Sequence, residues 1–220
     1  MLPAFLHQSA DWPVREIVIV DGDSQDQTQT LLRIWKDTPV GDAAPVRKCL
    51  SANKGRGNQM NAGAKIATGD LLLFLHADSI LPESHISWFD EIAKALDDPR
   101  VVGGAFRLKI DSPSLILKSI SMTANLRSAL LGLPYGDQGI FVRTDIFRKM
   151  EGFKDWPLME DVELIQRLKR LGKIVLLKET IQTSVRRWKR GGVVVSFRNV
   201  ILLLLYFMGV CPRRLARWYN

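Results

Sequence analysis

Residues 55–82 read GRGNQMNAGAKIATGDLLLFLHADSILP, and this stretch decides the fold that the sequence predicts. Five consecutive apolar residues, 71–75, predict a strand covered on both faces, as in a parallel sheet. His76 and Asp78 follow this strand, and Pro82 ends the stretch. Because open α/β sheets bind ligands beyond the carboxyl ends of their strands, we expect chemistry here. In extended chain, the two-residue spacing would point both side chains the same way.

The rest of the chain alternates apolar runs with helical periodicity, which predicts an α/β fold with a mostly parallel sheet flanked by helices. The 220 residues are 46% hydrophobic and 25% charged, as in an ordinary globular protein. We expect strands over residues 16–20, 46–50, 71–75, 101–110, 140–142 and 174–177. We expect helices over residues 28–36, 83–96, 114–131, 160–171 and 193–207. Residues 1–190 form the predicted main domain, and 191–220 form a helical tail that is both apolar and basic.

The net charge of +8 comes entirely from residues 180–220. Up to Glu179 the chain is balanced, and beyond it there are eight basic residues and no acidic one. This excess predicts an anionic partner for the tail, such as phosphate or a lipid surface. The tail lacks repeated aromatic platforms, so we expect no nucleic-acid binding.

Acidic residues follow another predicted strand end, at Asp21, Asp23 and Asp26. One of these carboxylates could accept a hydrogen bond from a pyrimidine base or from a ribose hydroxyl. The alternative is capping of the next helix by Ser24 or Asp26. Asp21 is the better functional candidate of the set.

Glu160 and Asp161 open a strongly periodic helix. The helix dipole stabilises both residues as anions, so they fit ordinary helix-start chemistry. They also fit a general base that removes a proton from an acceptor hydroxyl. Spacing alone leaves both interpretations open.

Two basic segments are candidates for phosphate binding. Backbone N–H groups and cations of residues 54–58, which include Gly55, Arg56 and Asn58, could cradle a phosphate. Residues 186–190 are a basic run around Trp188, and they suit a diphosphate or a phospholipid equally well. The first segment is not a Walker loop, because no Gly-Lys-Ser/Thr follows.

Taken together, these motifs resemble family-2 glycosyltransferases of the GT-A fold, in particular a small bacterial "transferase 2" subgroup. The resemblance covers about residues 14–220. It is carried by six segments in order: VDGDSQDQT (20–28), GRGNQMNAGA (55–64), FLHADSILP (74–82), GDQGIFVR (136–143), MEDVEL (159–164) and TSVRRW (183–188).

The resemblance implies an inverting transfer of a sugar from a UDP- or GDP-sugar to an acceptor hydroxyl, with Mn²⁺ or Mg²⁺. Asp161 would be the catalytic base, with Glu160 beside it. Asp78 would bind the metal, with His76 in place of the family's usual first Asp. The implied substrate-binding residues are Asp21, Asp23, Gly55, Arg56, Asn58, Asp78, Gly136, Asp137, Gln138, Arg187 and Trp188.

The sequence departs from the family pattern in two places. Ser184 stands where the family has Gln before the Arg187-Trp188 pair. The family's first strand, with its Pro-x-x-Asn-Glu-like turn, is not found; either the start is truncated or misassigned, or a central strand has been lost, which would expose sheet edges and part of the base site. Two rival functions remain: a non-catalytic membrane-surface or interaction protein, and a nucleotidyltransferase, whose usual Gly-rich signature with Lys is missing near residue 1.

The tail raises the question of a membrane. Residues 200–211 carry no charge, but they would span only about 18 Å as a helix, less than the ~30 Å hydrocarbon core. We expect either peripheral contact with the inner face of the cell membrane, with a lipid-linked acceptor, or a helix packed on the domain or in a homodimer. Cys49 and Cys211 match no metal spacing, and no secretory signal is seen, so we expect a cytoplasmic protein.

Overall fold

The computed structural model describes residues 14–39, 41, 44–80, 85–110, 112, 114–183 and 192–219. Its strands are β1 (Glu16–Asp21), β2 (Val46–Ser51), β3 (Leu71–Phe74), β4 (Ser79–Ile80), β5 (Val101–Ile110), β6 (Ile140–Arg143) and β7 (Lys173–Thr183). Its α-helices are α1 (Thr28–Asp37), α2 (Arg56–Ile66), α3 (His85–Leu96), α4 (Leu115–Leu131), α5 (Thr144–Lys149), α6 (Glu160–Leu171), α7 (Gly192–Phe207) and α8 (Pro212–Tyr219). A 3₁₀ turn covers Gly136–Gln138.

The described strands form two sheets. Strands β1 and β2 pair in parallel, and the second sheet has the order β3-β6-β5-β7-β4. In that second sheet, β5 and β7 are parallel and the other neighbours are antiparallel. The α/β fold with flanking helices is confirmed, but β3 pairs with antiparallel β6 rather than with the parallel neighbour that its apolar run predicted.

Between the two sheets lies a cavity of about 630 Å³. Consecutive residues of β1 and of β3 line it, together with Trp88, Phe89 and Ile92 of α3. Among the described strands, β1 pairs only with β2, and β3 pairs only with β6. The two strand edges that face the cavity therefore have no partner strand among the described residues.

Three apolar clusters position the candidate site. One surrounds Trp88, Phe106 and Phe141, and it joins α3 to the larger sheet. A second packs α6 onto β5 and β6 through its fully buried residues Leu164, Ile165 and Leu168. Ile165 and Leu168 belong to the periodic stripe that predicted the helix, which begins and ends at the predicted residues and is followed by Gly172.

The third cluster joins the tail to the main body. Leu202 and Leu203 of α7 and Leu215 of α8 pack on Leu158, Met159 and Val162, where α6 begins. The inner face of the tail is therefore packed on the domain. The predicted domain boundary at residues 190/191 falls outside the described residues and stays a prediction. None of the described helices combines the length and apolar character needed to cross a bilayer.

Candidate active site

The carboxylate of Asp161 is fixed by two backbone donors. The N–H of Gly136 donates to Oδ2 at 2.7 Å, and the N–H of Val162 donates to Oδ1 at 2.8 Å. Helix α6 starts one residue earlier, directly after Met159 in a left-handed conformation (φ 65°). Asp161 lies in the first turn of this helix, near the positive end of the helix dipole.

His76 meets Asp161 across Gly136. A Cβ atom built on Gly136 would lie 3.0 Å from His76 Nε2 and 3.3 Å from Asp161 Oδ2. The imidazole that follows β3 and the carboxylate that opens α6 are therefore neighbours in space. A small crevice is lined by both groups and by Met60, Phe74 and Glu160 among its other neighbours.

The chain turns directly after β3, which corrects one premise of the sequence analysis. The N–H of Ser79 donates to the carbonyl of His76 at 2.9 Å, so residues 76–79 form a turn rather than extended chain. The turn reverses the chain so that Ser79 and Ile80 pair with β7, and Asp suits such a position. The expectation that spacing in extended chain aligns His76 with half-buried Asp78 was therefore wrong.

Glu160 is buried beside Asp161 and forms an ion pair with Arg56, whose Nε lies 3.0 Å from Glu160 Oε1. Burial raises the pKa of the Glu160 carboxyl, and the charge on Asp161 raises it further; Arg56 offsets part of this. The second oxygen, Oε2, is buried without a hydrogen-bond partner among the described residues. The ionised form of Glu160 is therefore unfavourable in this position next to Asp161.

Arg56 is the cation at the centre of this group. Burial would lower the pKa of its guanidinium, but the charges of Glu160, Asp161 and Asp137 are among those that raise it above its usual value. Arg56 is the first residue of α2, in the segment predicted to bind phosphate. It therefore connects that segment to the start of α6.

The other residues of the predicted phosphate segment lie at the N-terminus of α2. Gly55 precedes the helix at φ 130°, a conformation that favours glycine. Asn58 donates through Nδ2 to Asp155 Oδ1 at 2.9 Å, and a Cβ on Gly57 would lie 3.0 Å from the Lys154 carbonyl. This helix start is therefore tied to the loop before α6, and its N–H groups offer a favourable place for an anion.

Asp21 closes the turn after β1. Ser24 donates to it from both N and Oγ, at 3.0 and 2.5 Å, and Gln29 Nε2 donates at 3.2 Å. Burial alone would raise the pKa of Asp21, but these hydrogen bonds outweigh it and hold the pKa below its usual value. Asp23 is exposed in a left-handed conformation (φ 64°). Separately, Asp26 accepts a hydrogen bond from the first N–H of α1 at 2.9 Å, although the N-cap position itself is occupied by Gln27.

Gln138 lies in the interior, where its side chain is fully used. Oε1 accepts from Ser128 Oγ at 2.8 Å and from Tyr135 N at 3.1 Å, and Nε2 donates to the Phe106 carbonyl at 3.0 Å. In the structure this side chain fixes the loop that presents Gly136. Asp137 is half-buried in the same loop, and its charge is one of those that act on Arg56.

Tyr135 is a residue of the site that the sequence analysis missed. Burial raises the pKa of its phenol to about 12; Arg127 acts against this shift, and Asp161 and Asp137 add to it. Arg127 Cζ lies 3.5 Å from the centre of the ring. The sequence shows only that Tyr135 precedes Gly136, and this position alone does not predict a function for a tyrosine. Arg187 and Trp188 lie outside the described residues.

The described part of the chain contains no group of three or more His, Cys, Asp and Glu side chains that could hold a metal ion. His76 and Asp78 supply two donors of suitable chemistry, an imidazole and a carboxylate. Mn²⁺ accepts both types, and Mg²⁺ and Mn²⁺ sites often take further oxygens from substrate phosphates. The donor set therefore fits a divalent ion that shares its coordination with a phosphate ligand.

The model of the family described as Glycosyl transferase family 2 matches residues 1–153. The chain belongs to glycosyl transferase family 2. Glu160 and Asp161 lie just beyond the matched residues. An uncharacterized glycosyltransferase of Nostoc sp. is 33% identical over 97 residues, which cover 43% of this chain and 28% of that protein.

Solved structures share the fold of this family-2 chain. A mannosyltransferase from Pyrobaculum calidifontis, in complex with GDP-Man and Mn²⁺, has a TM-score of 0.67 at 19% identity and covers 90% of this chain. Residues 1–349 of S. aureus TarS have a TM-score of 0.60 at 18% identity and cover 91%. The chain spans 56% and 58% of those two proteins, respectively.

Proposed function

We propose that this family-2 protein transfers a sugar, with inversion, from a nucleoside-diphosphate sugar to an acceptor hydroxyl, with Asp161 as general base. The observation that carries the proposal is the position of Asp161, fixed by the Gly136 N–H and next to His76. A general base must be ionised and held in one orientation within reach of the proton that it removes. The helix start and the two backbone donors provide the first two conditions.

His76 and Asp78 would hold Mn²⁺ or Mg²⁺ together with the donor diphosphate. When bound, the ion neutralises the charge that develops on the departing diphosphate. Arg56 and the N–H groups that open α2, with Gly55 and Asn58 in the same segment, would bind phosphate oxygens. The mannosyltransferase that shares the fold was solved with GDP-Man and Mn²⁺, which supports a UDP- or GDP-sugar donor.

The remaining substrate-binding assignments are part of the same proposal. Asp21 and Asp23 would contact the base or ribose, and the loop with Gly136 and Asp137 would border the sugar. Gln138 would act through this loop rather than by touching substrate. Arg187 and Trp188 would add charge and an aromatic face to the diphosphate side. The acceptor would be a lipid-linked hydroxyl, and the reaction would take place in the cytoplasm.

The test of this function compares Asp161→Asn with Asp145→Asn. Both replace an acid in the first turn of a helix, but exposed Asp145 opens α5 and makes no described contact with the site. With Mn²⁺ and a panel of UDP- and GDP-sugars, we expect Asp161→Asn to lower release of nucleoside diphosphate at least ~10²-fold. Donor binding should persist, because Asn keeps the shape of the side chain. Equal turnover in the two variants would remove Asp161 from the base role.

A second candidate is a non-catalytic interaction protein, and the cavity between the two sheets favours it. His76 and Arg56 line that cavity as well as the site, so the site opens beside two strand edges without described partners. Thermal stabilisation by UDP, GDP or their sugars with Mn²⁺ would argue against this candidate. Stabilisation by none of them would favour it.

A further inference from the structure

Helix α4 presents an apolar stripe to solvent. Leu115, Met122, Leu126 and Leu130 recur at helical spacing on one face, and all four are exposed, Leu115 to 78% and Met122 to 66%. Exposed apolar side chains usually occur singly, whereas a continuous stripe marks an interaction site.

Helix α7 presents a second stripe. Val194, Phe197, Ile201 and Leu204 recur three and four residues apart and are exposed, Val194 to 72% and Phe197 to 68%. Met208, just beyond the helix end, continues the line at 79% exposure. The opposite face of α7 is the packed one, with Leu202 and Leu203 buried.

The helices that carry the two stripes are neighbours, because α4 and α7 pack against each other. Helix α8 packs on α7 and adds exposed Trp218 beside its basic side chains. Every charged residue in these three helices is basic: Lys118, Arg127, Arg198, Arg213, Arg214 and Arg217. The surface formed by α4, α7 and α8 therefore combines apolar stripes with uniformly positive charge.

We propose that the α4/α7/α8 surface binds the interface of an anionic lipid bilayer. Apolar helical faces lie in the boundary between headgroups and acyl chains, and nearby Arg and Lys attract anionic lipids. The 16 residues of α7 span about 24 Å, so the helix lies along the interface rather than across the ~30 Å core. A second copy of the chain would bring like charge to the same surface, whereas an anionic bilayer supplies the opposite charge.

The helices of this surface also contact the elements that form the candidate site. The buried side of α7 packs where α6 begins, and Tyr206 Oη donates to Gln166 Oε1 at 2.9 Å within that contact. The C-terminal end of α4 leads through Gly132 into the loop that carries Gly136. The helices of this surface thus adjoin the two elements that position Asp161.

The test is co-sedimentation of the full chain with vesicles of phosphatidylcholine alone, or with added phosphatidylglycerol, at low and high salt. We expect binding to the anionic vesicles at low salt and weaker binding at high salt. Leu126→Glu on α4 and Leu204→Glu on α7 should each weaken binding about tenfold or more, because each removes the burial of one leucine. Ile34→Glu changes an equally exposed apolar residue on α1 and should leave binding unchanged.

The experiment distinguishes failure of the membrane proposal from failure of the proposed sugar transfer. Absence of binding to anionic vesicles at low salt overturns the proposal, and so does binding that neither Leu126→Glu nor Leu204→Glu weakens. A wild-type dimer that dissociates in both variants, without vesicle binding, would show an interface between copies instead. Donor turnover without vesicles is measured in parallel, so that turnover without vesicle binding refutes this proposal alone. Unfolding temperatures identify a variant that fails to fold, and Arg213→Gln with Arg214→Gln then provides a second route to the same loss.

Discussion

Gly136 is the point at which the two chemical groups of the candidate site meet. The spacing between His76 and Asp161 depends on the absence of a side chain there, because a Cβ would lie 3.0 and 3.3 Å from them. Its backbone conformation is not left-handed, so substitution acts through this contact rather than through strain. The hydrogen bond from its N–H also orients the Asp161 carboxylate.

Gly136→Ala should therefore lower donor turnover by roughly 10²-fold, because displacement of a catalytic group by about 1 Å has an effect of that order. The thermal unfolding midpoint should change little. Gly41→Ala is the matched control, since a Cβ there would meet nothing within 4 Å. Turnover of Gly136→Ala at the level of this control would show that the His76–Asp161 spacing does not matter.

Glu160 should make the free energy of unfolding depend on pH, in the direction opposite to that of a carboxyl group whose pKa is lowered by folding. The pKa of Glu160 is raised in the folded protein above the ordinary value of 4.5 because of burial and the charge on Asp161. Folding therefore favours the protonated form, and Glu160 lowers the free energy of unfolding as pH rises above 4.5. Glu160→Gln should stabilise the protein at pH 7 and have little effect below pH 4.5.

Urea unfolding at the two pH values checks this expectation, with exposed Glu151→Gln as the control. A Glu160→Gln protein that is less stable than wild type at pH 7 would mean that the ion pair with Arg56 outweighs the cost of burial.

Sequence reasoning at the residue scale succeeded where local pattern suffices. The acids that open α6 and the Asp26 contact at α1 follow from helix-start chemistry. The turn at His76 did not follow, because it is imposed by pairing of Ser79 with Thr183, far along the chain. The interior place of Gln138 was equally hidden, since its partners include Phe106 and Ser128 on other elements.

The loop between α4 and β6, which contains the 3₁₀ turn at Gly136–Gln138, is tied to its neighbours by hydrogen bonds. Gln138 connects it to α4 through Ser128 and to β5 through Phe106. Arg127 also donates to the carbonyl of Leu133 in this loop. The precision of the Gly136 position thus depends on a buried amide.

Gln138→Ala should lower the free energy of unfolding by about 2–4 kcal/mol, because it leaves several buried partners without a hydrogen bond. Turnover should fall as well, since the loop would no longer hold Gly136 in place. Denaturant titration and donor turnover measure the two effects, with exposed Gln27→Ala as the control. A loss of stability no greater than that of the control would contradict the role assigned to this network.

At the element scale, length and periodicity decided which predictions were correct. Strand β5 and helix α6 have the predicted bounds, and α4 and α7 differ from them by one residue. The predictions for two strands were less accurate. Strand β3 pairs with an antiparallel neighbour instead of a parallel one. Strand β7 extends beyond its predicted end to Thr183, because β5 offers a partner along its length. The two-residue β4 and the short α5 are too brief to leave a periodic signal.

For the molecule as a whole, the net positive charge is unevenly distributed along the chain. The first 179 residues are neutral overall and carry most of the two sheets and of the candidate site, whereas the basic excess lies in residues 180–220, which include α7 and α8. The sequence predicted the charge asymmetry and the apolar tail. It did not predict the exposed stripe on α4, because helical periodicity does not show which apolar face finds a partner.

The cavity between β1 and β3 lies next to the candidate site. Arg56 and His76 line it, so the cavity adjoins the candidate site beside two strand edges that have no partner among the described residues. Donor binding therefore tests the convergence of α2, β3 and α6 at a single place.

The measurement that tests the central claim most directly is calorimetric titration of the full chain with UDP- and GDP-sugars, with and without Mn²⁺. We predict saturable binding of at least one donor that depends on Mn²⁺, is abolished by chelation, and is lost in Asp78→Ala but kept in Asp145→Asn. Failure of every UDP- and GDP-sugar to bind in the presence of Mn²⁺ would contradict the account.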